Sequence, residues 1–177
     1  MSIIKTHNPL KQFNDLYQQY YTSVFCVVSR FMSDRHETED IVQEVFVKLY
    51  LQLKAGSIVL YPKTWLYKVA TNMCLNLVTR RREIQSIEQT NISEVSPADS
   101  LEKYVENKEQ KNGVEAALLK LKENERLIVI LYSEGLSYKE ISEISGVKFT
   151  SIGQSIYRAL QKLKPLLKTQ YDEMLNQ

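Results

Sequence analysis

At 177 residues the chain can form one domain or two small ones, and it is long enough to bury a real core. No run reaches the ~18 apolar residues of a membrane span, and no basic start leads into an apolar secretion signal, so membrane insertion is not expected. The formal net charge of +2 is small only because unlike segments cancel: residues 1–82 carry eleven basic and six acidic side chains, 83–111 three and seven, and 112–177 nine and eight.

With 5 glycines and 4 prolines in the whole chain, helix breakers are scarce, and long 3.6-period patterns predict an all-α protein. The first helix carries Phe13, Leu16, Tyr17, Tyr20, Val24, Phe25 and Phe31 as a buried stripe. Ser33-Asp34 breaks it, and Asp34 with Glu37 can cap the second helix. There Ile41, Val42, Val45, Phe46, Leu49, Tyr50 and Leu53 follow the i, i+3, i+4 template closely. Ala55-Gly56-Ser57 ends that helix. Pro62 suits the first turn of a third, whose stripe is Leu66, Val69, Ala70, Met73 and Leu77 and whose end is Arg80-Arg81-Arg82. From Val45 to Arg82 there are seven basic residues and no acid, which predicts a positive surface. Residues 83–111 lose the stripe and read as a flexible acidic linker, with a helical end near Leu101–Val105. A second module restarts at Val114, Ala117, Leu118 and Leu121 and continues through 127–132 to Gly135.

Residues 136–163 then read as a helix-turn-helix. Ser137 and Glu140 form a capping box that fixes the start of a helix sided by Ile141 and Ile144. Gly146 marks the turn, and Val147, Ile152 and Ile156 supply the buried positions of the next helix. Between Gly146 and Lys168 lie five basic residues and no acid, which suits a helix placed in a DNA major groove. A helical hairpin with a solvated basic face has the same local pattern.

Two further constellations stand out. Asp40, Gln43 and Glu44 project from the second helix opposite its apolar stripe, as a solvated face or as a docking face for a basic partner. A metal-dependent enzyme built on these carboxylates lacks a histidine, a glycine-rich loop and a third acid. On the third helix Lys68, Asn72 and Asn76 repeat at i+4, with Tyr61, Lys63, Trp65 and Tyr67 at its start. Rings interleaved with cations suit single-stranded nucleic acid, while Trp65 and Tyr67 are equally at home in a core. Cys26 and Cys74 fall in apolar helical patterns as free thiols, and with His7 and His36 they form no metal-binding motif. No cofactor is expected, no enzyme signature is present, and a reducing cytoplasm fits.

Residues 37–50 (ETEDIVQEVFVKLY) and 61–82 (YPKTWLYKVATNMCLNLVTRRR) resemble region 2 of the bacterial sigma-70 family, in its extracytoplasmic-function type. Residues 117–164 are similar to region 4 of the same group. The resemblance implies two small helical domains: region 2, a three- or four-helix bundle over residues 9–82, and region 4, a helix-turn-helix over 112–170, joined by the linker at 83–111. It implies a non-enzymatic sigma factor that directs core RNA polymerase to promoters and assists melting. Asp40, Gln43 and Glu44 then match the face that docks on the β′ clamp coiled coil, and region 4 meets the β flap. The loop from Ala55 to Tyr61 with Lys63, Trp65, Lys68 and Asn72 matches the part that takes melted promoter −10 DNA, with Arg80 and Arg81 assigned to the same DNA. Lys148, Thr150, Ser151, Gln154, Arg158 and Lys162 are the matching −35 contacts, and an anti-sigma factor is an implied partner. Gly153 and Ser155 stand where basic residues are common, and Ser142 where alanine is. A glycine inside the recognition helix costs roughly 1 kcal/mol of propensity, so a weak −35 grip is expected. The alternative is a stand-alone helix-turn-helix regulator, which would bind duplex DNA without polymerase and be indifferent to changes at Asp40 or Glu44.

Overall fold

The computed structural model describes residues 8–32, 34–90 and 113–175, and every regular element among them is an α-helix. They are α1 (Pro9–Phe31), α2 (Arg35–Lys54), α3 (Pro62–Thr90), α4 (Gly113–Leu119), α5 (Glu123–Ser133), α6 (Tyr138–Ser145) and α7 (Phe149–Leu175). The all-α expectation therefore holds, and the helix boundaries have readable causes. Asn8 accepts from the Lys11 N–H at 3.0 Å and Pro9 fills the first turn of α1. Asp34 accepts from the His36 and Glu37 N–H groups at 2.7 and 3.1 Å and so starts α2. That helix stops where Gly56 takes φ +77°, a conformation that costs other residues strain.

The third helix differs from expectation. It does not finish at Arg82 but runs on to Thr90. The physical reason is that residues 83–90 (EIQSIEQT) contain neither glycine nor proline, so nothing opposes one more helical stretch once the preceding turns have formed. Arg81 also pairs with Glu37, clipping this part of α3 to the start of α2. The helical end expected near Leu101–Val105 lies outside the described residues.

Helices α1, α2 and α3 pack on one another, and α4, α5 and α6 pack around α7. Val24, Val27, Val45, Leu49, Leu53 and Leu66 are fully buried in the first module; Leu131, Ile141, Ile152 and Ala159 are in the second. The two sets belong to one continuous apolar cluster, because α3 also meets α6 and α1 also meets α5. At that seam the Arg126 guanidinium, 5% exposed, lies 4.7 Å from the centre of the Phe31 ring. Its Nε has no hydrogen-bond partner, and burial holds its pKa below the ordinary arginine value. Cys74 lies buried beneath, a free thiol whose pKa burial pushes up to about 12. Among the described residues no helix is long and apolar enough to cross a membrane.

Candidate functional site

On α2, the apolar positions Ile41, Val42, Val45, Phe46 and Leu49 turn inward, which leaves Asp40, Gln43 and Glu44 exposed on the outer face. These three line a shallow hollow with Val47, an apolar side chain left 49% exposed. Glu44 pairs with Lys48 at 2.7 Å one turn on, and Glu39 with Arg35 at 2.8 Å. Beside the acidic residues runs a groove of about 650 Å³ between α1 and α2, lined by Phe13, Tyr17, Tyr21, Phe46, Val47 and Tyr50. Tyr17 stacks edge-on against Phe46 at 4.8 Å, and Phe13 against Tyr50 at 5.5 Å. Phe13 and Tyr17 read in sequence as part of a buried stripe; in the fold Tyr17 is 39% exposed and, with Tyr21, the rings wall an open groove. Nothing in the local pattern distinguishes the two outcomes, since α2 covers only one side of the stripe.

The loop before α3 is open: Ile58, Leu60 and Tyr61 stand exposed around the half-buried Val59. Along α3, Trp65 is half-buried against the core, Lys68 is half-buried, and Asn72 and Asn76 are exposed. These four share one face at i, i+3, i+7 and i+11. Tyr67, in sequence a candidate stacking ring, is instead completely buried. Its hydroxyl donates to Glu134 Oε2 at 3.1 Å, and burial, chiefly, pushes its pKa up to about 12. Arg80 is exposed and Arg81 is engaged with Glu37. Both sit ~18 Å along the helix axis from Lys68 at 1.5 Å per residue, so the basic residues of α3 form two separate groups.

The helix-turn-helix is built as the sequence reads. The Glu140 N–H donates to Ser137 Oγ at 3.3 Å while the Ser137 N–H donates back to Glu140 Oε2 at 2.8 Å. Hydrogen bonds from the Ser137 hydroxyl and then from its N–H hold the Glu140 carboxyl below the usual carboxylate range. Gly146 ends α6 at φ +71°, and the Ser142 hydroxyl donates to the Val147 carbonyl at 2.7 Å across the turn. Ile152, Ile156 and Ala159 then anchor α7 from below. Lys148, Thr150, Gln154, Arg158 and Lys162 are exposed along its outer side and Ser151 is half-buried; Lys162 also pairs with Glu125 of α5. Phe149 and Tyr157, exposed beside them, were not singled out by the sequence because an aromatic at helix spacing reads first as core. Gly153 faces Tyr138: a Cβ there would lie 3.4 Å from the ring.

The two surfaces are in contact. The turn after α5 and the start of α6 lie across the first turns of α3. Lys63 Nζ donates to the Glu134 carbonyl at 2.8 Å, and the Thr64 hydroxyl donates to Glu140 Oε1 at 3.0 Å. Lys68 Nζ stands 3.9 Å from Glu143 Oε1. Arg30 of α1 pairs with Glu134 Oε1 at 2.6 Å, and Arg82 pairs with Glu123. Among the described residues no group of His, Cys, Asp and Glu could hold a metal ion.

Comparison with known proteins matches residues 16–84 to the family model Sigma-70 region 2 and residues 111–163 to Sigma-70, region 4. The chain is 30% identical over 177 residues to the ECF RNA polymerase sigma-E factor of Escherichia coli (strain K12), covering 89% of this chain and 90% of that protein. It is 27% identical over 166 residues to the ECF RNA polymerase sigma factor SigW of Bacillus subtilis (strain 168), covering 88% and 89%. In fold it is similar to the sigma factor RpoE solved in complex with the anti-sigma factor NepR from Bartonella quintana. That match has a TM-score of 0.68 and 22% identity, covering 89% of this chain and 98% of that one. CnrH, solved with the cytosolic domain of CnrY, matches at a TM-score of 0.61 and 20% identity, covering 90% of both chains.

Proposed function

The chain belongs to the sigma-70 family of RNA polymerase sigma factors, in its extracytoplasmic-function group, and on that premise we propose how its surfaces divide the work of transcription initiation. Asp40, Gln43 and Glu44 dock on the clamp coiled coil of the polymerase β′ subunit. The exposed Val47 and the neighbouring aromatic groove give that acidic face the apolar centre and polar rim typical of a specific interface. The loop of residues 55–61, Lys63, Trp65, Lys68 and Asn72 receive the melted −10 strand. Lysines there hold phosphates, while Trp65 and the open loop offer surfaces against which an extruded base can stack. Arg80 and Arg81, a separate group farther along α3, contact flanking backbone. Lys148, Thr150, Ser151, Gln154, Arg158 and Lys162 meet the −35 duplex, with α7 in the major groove and the rest of region 4 against the β flap.

This sigma factor contributes binding energy and positioning to the polymerase and carries out no bond chemistry of its own. It works in the cytoplasm without a cofactor, and an anti-sigma factor that covers the polymerase-docking face is its natural inhibitor. Residues 9–82 form region 2 and 112–170 region 4.

The observation that carries this reading is the pairing, in one molecule, of an exposed acid-and-apolar face on α2 with a capped helix-turn-helix. A stand-alone DNA-binding regulator needs the second and has no use for the first. Run-off transcription with bacterial core RNA polymerase on fragmented genomic DNA of the source organism tests it. The wild-type protein yields discrete new start sites, and Asp40→Ala/Glu44→Ala abolishes them while leaving the fold intact by circular dichroism. Start sites indifferent to the double substitution would remove the docking assignment. Tight duplex binding with no polymerase-dependent starts would favour the stand-alone regulator.

A further inference from the structure

We propose that Phe149 is a specificity-determining residue of the −35 contact, reading the 5-methyl group of a thymine in the major groove. The inference deepens the proposed function and rests on its placement of α7 in that groove. By spacing, Phe149 belongs to the buried stripe of α7, three residues before Ile152 and seven before Ile156. Its ring is nevertheless 58% exposed, because α7 begins at this residue and Val147 of the preceding turn packs against the apolar cluster in its stead. The phenyl therefore overhangs the first turn of the helix, the end from which a recognition helix meets base edges. A single exposed ring is ordinary on a protein surface. This one stands between Lys148 and Thr150, both exposed, in a stretch with no acid from Gly146 to Lys168.

The chemistry around the ring selects the base edge it meets. From Phe149 to Tyr157 the helix carries no cation, so its opening turns lack the Arg or Lys that pairs with O6 and N7 of guanine. They present instead an apolar ring, the Thr150 side chain and the Gln154 amide, groups suited to a thymine methyl and to adenine. Gly153 keeps the ring accessible. It lies one turn after Phe149, and side chains lean toward the N-terminus of a helix, so a long side chain at 153 would lie over the phenyl. The Tyr138 ring packs there from α6, 3.4 Å from where a Cβ would stand, so this space too holds an uncharged ring. The exposed cations Lys148 and Arg158 flank the stretch and suit phosphates, which position the helix without reading sequence. The −35 element that fits this surface carries a thymine under Phe149 and is recognised there by its methyl group.

The test uses polymerase holoenzyme assembled with the full chain and a promoter fragment recovered by run-off transcription. Each thymine of the −35 region is replaced in turn by deoxyuridine, which keeps base pairing and removes only the methyl group. Competition binding is measured for the wild type and for Phe149→Ala, whose fold is preserved because the exposed ring carries no core packing. One replacement is expected to weaken wild-type binding about three- to five-fold, the loss of one buried methyl. The same replacement should leave Phe149→Ala unaffected, and that variant should bind the unmodified fragment more weakly than the wild type. A methyl effect that persists in Phe149→Ala would belong to another side chain and overturn the assignment, as would a wild type indifferent to every replacement. Gln154→Ala/Arg158→Ala separates that failure from failure of the reading beneath it. Binding weakened by this pair without any methyl effect leaves α7 on the −35 duplex and removes Phe149 alone. Binding that ignores both the pair and every replacement removes α7 from the duplex as well.

Discussion

Gly153 sits in the middle of α7, where glycine costs roughly 1 kcal/mol of helix propensity relative to alanine. From sequence it is a missing DNA contact; in the fold it also seats the Tyr138 ring, with room for a Cβ at 3.4 Å, an ordinary contact. Gly153→Ala is therefore expected to raise stability by about 0.5–1 kcal/mol, read as a higher melting temperature. A loss of stability would show that the ring cannot accommodate a methyl group. Glu140 makes the opposite kind of contribution, through charge. Its folded pKa lies below the unfolded value, so on acidification the unfolded state binds the proton first. The stabilisation is full above the ordinary glutamate value of about 4.3 and is lost as pH falls through the folded pKa. Glu140→Gln should thus be less stable than wild type at neutral pH, by about 0.5–1 kcal/mol, with the gap closing in acid. A pH-independent gap in denaturant titrations would mean that ionisation plays no part.

In the proposed function, promoter reading depends on the turn between α6 and α7, because it sets how α7 projects. Gly146 supplies the left-handed residue, and Ser142 locks the turn from the preceding helix by donating to the Val147 carbonyl at 2.7 Å. The sequence alone suggests only that a small residue is needed at Ser142. Ser142→Ala leaves a half-buried carbonyl without this donor, at a cost of about 1 kcal/mol. Hydrogen exchange at residues 146–150 should quicken while exchange in α1 and α2 is unchanged; equal protection throughout would show that the turn needs no side-chain lock. A longer element, α3, shows a different limit of local reading. Its start is set by Pro62 and legible, whereas its end at Thr90 depends on the absence of a breaker and on the Arg81–Glu37 and Arg82–Glu123 pairs to other helices.

Over the whole molecule, the apolar cluster runs from region 2 into region 4 without a gap. Unfolding should then be shared. The chain has a single tryptophan, Trp65, in region 2, whose fluorescence reports that module, while circular dichroism reports both. The two probes are expected to give coincident thermal transitions in the wild type and separated ones in Arg30→Glu. Separated transitions in the wild type would mean that the modules are energetically independent and that the seam contributes little.

The sequence by itself determined the helices, the capping box of Ser137 and Glu140, the turn at Gly146, the outward acids of α2 and the order of the two modules. These follow from interactions within a few residues, where 3.6-residue periodicity and cap chemistry act directly. Only the tertiary structure decided that Tyr67 is buried while Tyr17 walls an open groove, that Gly153 faces a ring, and that Lys63, Thr64 and Lys68 meet Glu134, Glu140 and Glu143. Those partners lie about 70 residues apart in the chain. Which side of an amphipathic helix is covered, and which cation meets which carboxylate, depends on how two folded modules lie against each other, and no local pattern encodes that.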